Sequence, residues 1–111
     1  MHRIQTFNQI ASRGLDRFPK QSYKVEAKLS EAEAILLRSY KMDAATINPE
    51  LKAVARAGAG TNNVPVDACT DRGVVVFNTP GANANAVKEL VLCGLLLASR
   101  GIVPGIGFAW F

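Results

Sequence analysis

The chain of 111 residues is long enough for one domain, and its 49% hydrophobic content argues for a folded protein and against disorder. Its net charge of +4 is scattered, without a block of lysines or arginines, which argues against a nucleic-acid partner. The longest apolar run, residues 90–98, is far shorter than the roughly 20 residues of a membrane-spanning helix, so no membrane partner is expected.

Cysteine and histidine usage limits the redox and metal chemistry of the chain. Cys69 and Cys93 are interpreted as small buried hydrophobic residues in helical segments. His2 is the only histidine, so a metal site is not expected. Residues 1–4 contain no apolar leader, and a reducing cytoplasm is the expected location.

Short apolar runs alternate with segments of helical spacing along the chain. The predicted strands cover residues 3–7, 23–27, 34–37, 51–57 and 74–77. The predicted helices cover residues 8–18, 41–48, 66–72 and 83–99, with a short turn at 30–33. Pro19 and Pro49 are expected to end the first two helices, and Gly73 to cap the third.

This alternation indicates a parallel sheet with right-handed crossovers. The predicted fold class is α/β, with a flavodoxin-like, doubly wound parallel sheet of five strands. Ligands of such sheets bind outside the carboxyl ends of the strands. The rule gathers Arg38, the turn at 56–60 and the loop at 78–83 on one edge of the sheet, and it favours a site for a small anion there.

The turn at 56–63 is the most informative motif. Gly58 and Gly60 are expected to adopt positive φ and let the backbone approach a ligand, with amide N–H groups free to point outward. Arg56 adds a fixed charge with forked donors. The alternative is a tight turn from strand to helix beside a solvated arginine, and the segment alone does not decide between the two.

Residues 55–67 and 75–90, which read ARAGAGTNNVPVD and VVFNTPGANANAVKEL, together resemble the D-2-hydroxyacid dehydrogenase family. The strand at 35–39 also fits the family pattern. The resemblance is to the amino-terminal, substrate-binding half of these enzymes. It implies an NAD-dependent oxidoreductase of serine biosynthesis that oxidises a phosphorylated 2-hydroxy acid, 3-phosphoglycerate, to 3-phosphohydroxypyruvate. A family member acting on hydroxypyruvate or lactate, or a non-catalytic anion-binding module, are the alternatives.

The resemblance implies NAD as cofactor, yet the chain has no G-x-G-x-x-G followed by an acidic residue about 20 positions on. It also matches none of the family's catalytic residues, so this fragment alone is expected to be inactive. Residues 1–100 are therefore expected to form an incomplete substrate-binding domain, and residues 101–111 a hinge toward a missing NAD-binding domain. Intact family enzymes are oligomers, but nothing is implied for the fragment.

The family pattern assigns substrate contacts to four residues near the ends of two strands. Arg38 matches an arginine that contacts the substrate phosphate, where its forked donors would make two parallel charge-assisted hydrogen bonds. Arg56 matches a second arginine near the substrate. Ala57 and Gly58 match positions whose backbone amides hold the substrate carboxylate.

Two further positions are assigned by the same resemblance. Ala59 matches a position near the nicotinamide ring, where some relatives have a threonine, so only backbone or van der Waals contact is expected. Asn83 matches an asparagine that contacts the substrate. Its alternative role is to cap the long helix that follows, and both roles are compatible.

Overall fold

The computed structural model describes residues 1–109, in which five strands form one all-parallel sheet of order β2-β1-β3-β4-β5. The strands are β1 (His2–Thr6), β2 (Tyr23–Glu26), β3 (Ala34–Leu37), β4 (Ala53–Arg56) and β5 (Val75–Phe77). This is the flavodoxin-like order, so the predicted α/β class and sheet are confirmed. The order reverses between β1 and β3, which is where such sheets open a crevice for ligands.

The helical segments in the first half of the chain are shorter than predicted, those at 66–71 and 84–99 agree with prediction, and the helix at 102–109 was not predicted. They are α1 (Ser12–Leu15), α2 (Val66–Asp71), α3 (Ala84–Ser99) and α4 (Ile102–Ala109), with a 3₁₀ helix at Ala44–Thr46. Gly73 follows α2 at φ 72°, as expected of a glycine cap. Asn83 directly precedes α3, but its side chain makes no capping hydrogen bond, so that part of the prediction is wrong.

Local side-chain and backbone chemistry explains the two short helices. Asn8 adopts φ 67°, in the left-handed region, so a right-handed helix cannot run through residue 8. Asp43 accepts a hydrogen bond from the Ala45 N–H at 2.8 Å. Such a bond offers the backbone an alternative to continued helix, and only a 3₁₀ turn forms there.

The core is one cluster built on β3 and β4. Ile35 and Leu37 of β3 pack with Val54 of β4 and Cys69 of α2, and these four are the largest fully buried side chains. Burial alternates along β3, where the side chains on the opposite face are only half-buried. Burial raises the pKa of the Cys69 thiol.

The chain divides into two compact units, Met1–Pro80 and Gly81–Phe111. The first contains the whole sheet, and the second contains α3 and α4. Cys93, on α3, is exposed, contrary to the prediction. The domain boundary expected at residue 100 stays a prediction. Helix α4 lies within the predicted hinge. The last two residues of the hinge, Trp110 and Phe111, lie outside the described part.

Helix length bears on the membrane question. Within residues 1–109 no single helix is long and apolar enough to cross a membrane. Helices α3 and α4, bent by 59° at the break between them, satisfy length and composition only when taken as a pair.

At the amino edge of the sheet, the Glu33 carboxylate lies within salt-bridge distance of three basic side chains. Glu33, whose side chain is 17% exposed, lies 3.1 Å from His2, 3.6 Å from Arg3 and 3.7 Å from Lys52. The hydrogen bond from His2, helped by the positive charges of His2, Lys52 and Arg3, holds the pKa of the Glu33 carboxyl below its ordinary value despite some desolvation. The cluster joins the starts of β1, β3 and β4.

Candidate functional site

The two arginines singled out by sequence lie at the same edge of the sheet. Leu37, the last residue of β3, pairs with Arg56, the last residue of β4. Arg38, the next residue after Leu37, therefore lies beside the end of β4. Because all five strands are parallel, this is the carboxyl edge, where ligands of such sheets bind.

Arg56 uses part of its guanidinium to join two loops. Its side chain is half-buried, Nε donates to the Arg38 carbonyl at 2.8 Å, and Nη1 donates to the Gly60 carbonyl. In the described part of the chain its Nη2 has no acceptor. Arg56 thus fixes the turn that follows β4, and its Nη2 remains free to donate to a ligand.

The glycines of the turn make room for this guanidinium. A Cβ on Gly60 would lie 2.7 Å from Nη1 of Arg56, and one on Gly58 would lie 3.4 Å from Nε. Neither glycine has positive φ. The expectation of a left-handed turn is therefore wrong. A side chain at Gly60 would displace the end of Arg56, whereas the distance at Gly58 is that of an ordinary van der Waals contact.

The amides expected to be free are already hydrogen-bonded. Ala57 N–H donates to the Leu37 carbonyl at 2.8 Å, and Gly58 N–H donates to the Arg56 carbonyl at 3.0 Å. The amides of Ala59 and Gly60 have no acceptor within residues 1–109, and both residues are exposed. The outward-pointing donors lie two residues later than predicted, and a substrate role for Ala57 and Gly58 stays a prediction.

The loop after β5 joins the same edge. Asn78 donates from Nδ2 to the Ala59 carbonyl at 2.9 Å, and Thr79 N–H donates to the Gly58 carbonyl at 2.9 Å. These contacts bring residues 78–79 to the glycine turn, as the carboxyl-edge rule predicts. Asn83 belongs to the Gly81–Phe111 unit, so its substrate contact stays a prediction, as does that of Ala59 with a nicotinamide.

The side chain of Arg38 is exposed and forms no ion pair with any described residue. Its main chain is held by two asparagines that sequence reasoning missed, Asn8 after β1 and Asn63 after β4. A weak signal was available for Asn8, which directly follows the predicted strand at 3–7, but none for Asn63, which lies six residues beyond the predicted strand at 51–57. The edge therefore carries two positively charged side chains, the exposed Arg38 and the half-buried Arg56.

A cavity of about 610 Å³ lies elsewhere, between α1 and β2. Its lining includes Phe18, Lys20, Tyr23 and Lys24, and none of the predicted site residues. We place the candidate site at the carboxyl edge, because Arg38, the free donor of Arg56 and the amides of the glycine turn that are unpaired within residues 1–109 lie there, whereas the cavity is lined by none of the predicted site residues.

Comparison with known proteins agrees with this geometry. The family model for D-isomer specific 2-hydroxyacid dehydrogenase, catalytic domain, matches residues 3–107. The chain is 49% identical over 82 residues to D-3-phosphoglycerate dehydrogenase of Mycobacterium leprae (strain TN). The aligned region covers 71% of this chain and 16% of that protein. The chain thus spans about a sixth of the length of that curated relative.

Solved structures agree as well. NAD+-bound 3-phosphoglycerate dehydrogenase of Entamoeba histolytica is 28% identical with a TM-score of 0.73, covering 86% of this chain and 38% of that one. A protein from Thermus thermophilus is 25% identical with a TM-score of 0.85, covering 96% and 40%. Since the family match runs over nearly its whole length, the chain belongs to the D-isomer specific 2-hydroxyacid dehydrogenases and corresponds to their catalytic domain.

Proposed function

We propose that this chain is the substrate-recognition part of an NAD-dependent D-3-phosphoglycerate dehydrogenase. The supporting observation is the pairing of Leu37 with Arg56, which brings Arg38 and Arg56 to one carboxyl edge. The complete enzyme would oxidise 3-phosphoglycerate to 3-phosphohydroxypyruvate in serine biosynthesis. The two unpaired thiols fit a reducing, cytoplasmic location.

The phosphate and the carboxylate of the substrate would bind to different hydrogen-bond donors. Arg38, exposed and without an ion pair among the described residues, would grip the phosphate through two parallel charge-assisted hydrogen bonds. The carboxylate would take the free Nη2 of Arg56 and the outward amides of Ala59 and Gly60. Fixing both ends would orient the hydroxyl-bearing carbon between them for oxidation.

The residues present do not fit NAD by themselves. The Gly58–Gly60 turn has the glycines of a phosphate-binding loop, but the space above it is filled by the guanidinium of Arg56. A dinucleotide pyrophosphate instead needs a glycine turn opening a helix. We therefore assign hydride transfer and binding of the dinucleotide pyrophosphate to other parts of a complete enzyme, and leave to this chain only the predicted contact of Ala59 with the nicotinamide.

Arg38 is the residue that tests this proposal. We expect Arg38→Ala to weaken 3-phosphoglycerate binding to the full 111-residue chain by about tenfold or more, because a charge-assisted hydrogen bond contributes roughly 1.5–3 kcal/mol. Glycerate, which lacks the phosphate, should bind both chains equally. Arg38→Lys keeps the charge but loses the fork, so an intermediate affinity is expected.

Isothermal titration calorimetry with the two acids measures these affinities. Equal losses for both acids upon Arg38→Ala would contradict a phosphate-specific role and favour a family member acting on an unphosphorylated acid. A non-catalytic anion-binding module is the second candidate, since both arginines lie in the Met1–Pro80 unit with its own core. Binding without NADH formation by the complete gene product would favour that module.

A further inference from the structure

We propose that Asn8 and Asn63 are positioning residues for Arg38, and that by holding its loop they set the preference of the site for a phosphorylated over an unphosphorylated 2-hydroxy acid. The inference rests on the proposed function, because it assumes that Arg38 meets the phosphate. Neither asparagine touches the substrate in this proposal. Both act through the backbone of residues 38–40.

Regular strand pairing stops just before Arg38. Phe7 N–H donates to the Leu36 carbonyl at 3.0 Å from the β1 side, and Ala57 N–H donates to the Leu37 carbonyl at 2.8 Å from the β4 side. Beyond Leu37 the loop has lost both flanking strands. Its backbone groups need other partners to hold one conformation.

Asn8 supplies the acceptor. Its Oδ1 accepts hydrogen bonds from the N–H groups of Arg38 at 3.2 Å and of Tyr40 at 2.7 Å. The φ of 67° at Asn8 is a conformation that asparagine tolerates better than most residues. The adjoining Phe7 stacks on Tyr40 with ring centroids 4.2 Å apart, which packs the loop against the end of β1.

Asn63 supplies the donors. Its Nδ2 donates to the carbonyls of Arg38 at 2.9 Å and of Tyr40 at 2.8 Å. Exchanging the two ends of this amide would put Oδ1 against two carbonyl oxygens, so its orientation is unambiguous. Its own carbonyl accepts the Met42 N–H at 2.8 Å, which fixes Asn63 in turn.

Arg38 is thereby anchored by side chains from two other loops. Its N–H is bound by Asn8, and its carbonyl by Asn63 and by Nε of Arg56 at 2.8 Å. Only the side-chain torsions of Arg38 remain free. A cation with a fixed base loses less conformational entropy when it binds a phosphate, and an unphosphorylated acid gains nothing from this arrangement.

The sharpest test compares two adjacent asparagines in the full chain. Asn63→Asp is nearly isosteric, removes both donors and sets a carboxylate against two carbonyls. Asn62→Asp adds the same charge in the same turn, at an exposed residue whose side chain has no hydrogen bond to any described residue. We expect Asn63→Asp to lower the ratio of 3-phosphoglycerate to glycerate affinity by about tenfold, and Asn62→Asp to change it by less than about twofold.

Asn8 provides a second pair of variants should Asn63→Asp unfold the chain. Asn8→Gly removes the acceptor but suits the left-handed backbone, whereas Asn8→Asp retains an acceptor at the same place. The first should speed hydrogen exchange of the Arg38 and Tyr40 amides by about tenfold and lower the affinity ratio. The second should largely restore the protection of both amides.

Two outcomes overturn the proposal in different ways. Unchanged exchange of the Tyr40 amide in Asn8→Gly would show that the asparagine does not anchor the loop. Faster exchange with an unaltered affinity ratio would show that anchoring does not govern the preference. If the unaltered chain binds neither acid, the proposed function fails together with the preference, and the exchange rates still decide the anchoring separately.

Discussion

At the scale of single residues, the side chain of Arg56 joins two loops of the candidate site. It links the loop after β3 to the turn after β4, and two glycines leave space for its guanidinium. In the sequence, the glycine pair predicts backbone freedom. In the structure neither glycine has positive φ, and only Gly60 lies where an added Cβ would displace Arg56.

Gly60→Ala tests this steric role. The new Cβ would fall 2.7 Å from Nη1 of Arg56, and the end of that side chain would have to move. We expect a loss of about 1 kcal/mol in the free energy of unfolding, measured with urea, because a charged donor loses its partner. Gly14→Ala, where no heavy atom lies within 4 Å of the added Cβ, is the control and should not destabilise.

At the scale of elements, α3 is the longest helix of the described part and carries Gly94 in its interior. No heavy atom lies within 4 Å of the position of the missing Cβ of Gly94, which is open space. The glycine therefore costs helix stability without a contact in return.

Gly94→Ala should raise stability by roughly 0.5–1 kcal/mol, since alanine favours a helix interior over glycine. Gly73→Ala is the matched opposite: its Cβ also meets nothing, but φ of 72° strains any alanine, so stability should fall. Far-ultraviolet circular dichroism during thermal unfolding measures both. A destabilising Gly94→Ala would mean that a close packing partner exists after all.

At the scale of the whole molecule, the two edges of the sheet treat positive charge differently. At the carboxyl edge Arg38 is exposed and unpaired among the described residues. At the amino edge Arg3 and Lys52 share the carboxylate of Glu33, which offsets part of their positive charge. The exposed Arg38, unpaired within residues 1–109, suits attraction of an anionic ligand to the carboxyl edge.

This arrangement predicts an acid-sensitive stability. The pKa of Glu33 is lower in the folded chain than its ordinary value, so its contribution is fully present above that value of about 4.3 and is lost as the pH falls through the folded pKa. Urea unfolding of the chain and of Glu33→Gln should differ at pH 7 and converge as the carboxyl protonates. Glu50→Gln, at an exposed residue, should track the unaltered chain, and parallel curves for Glu33→Gln at every pH would contradict the prediction.

How well a feature of the fold or of the site could be predicted from the sequence depends on the sequence range of the interactions that form it. The five strands, α2 and α3 have local signatures in apolar runs, helical spacing and glycine or proline stops, and the parallel order followed from their alternation. The placement of Arg38 and Arg56 on one edge needed only that order. Asn8 and Asn63 could not be assigned, because their partners, Arg38 and Tyr40, are set by how three strands line up.

The stacking of Phe7 on Tyr40 has a practical consequence. One of only two tyrosines is fixed in an asymmetric aromatic environment, immediately beside the segment that carries Arg38. That ring is a natural optical reporter in the near-ultraviolet, since a rigid stacked phenol gives a circular dichroism band that a tumbling one does not. Because Tyr23 also contacts aromatic rings, those of His2 and Phe18, the difference spectrum against Tyr40→Phe isolates the Tyr40 band, and titration with ligand tests whether that band follows occupancy of the carboxyl edge.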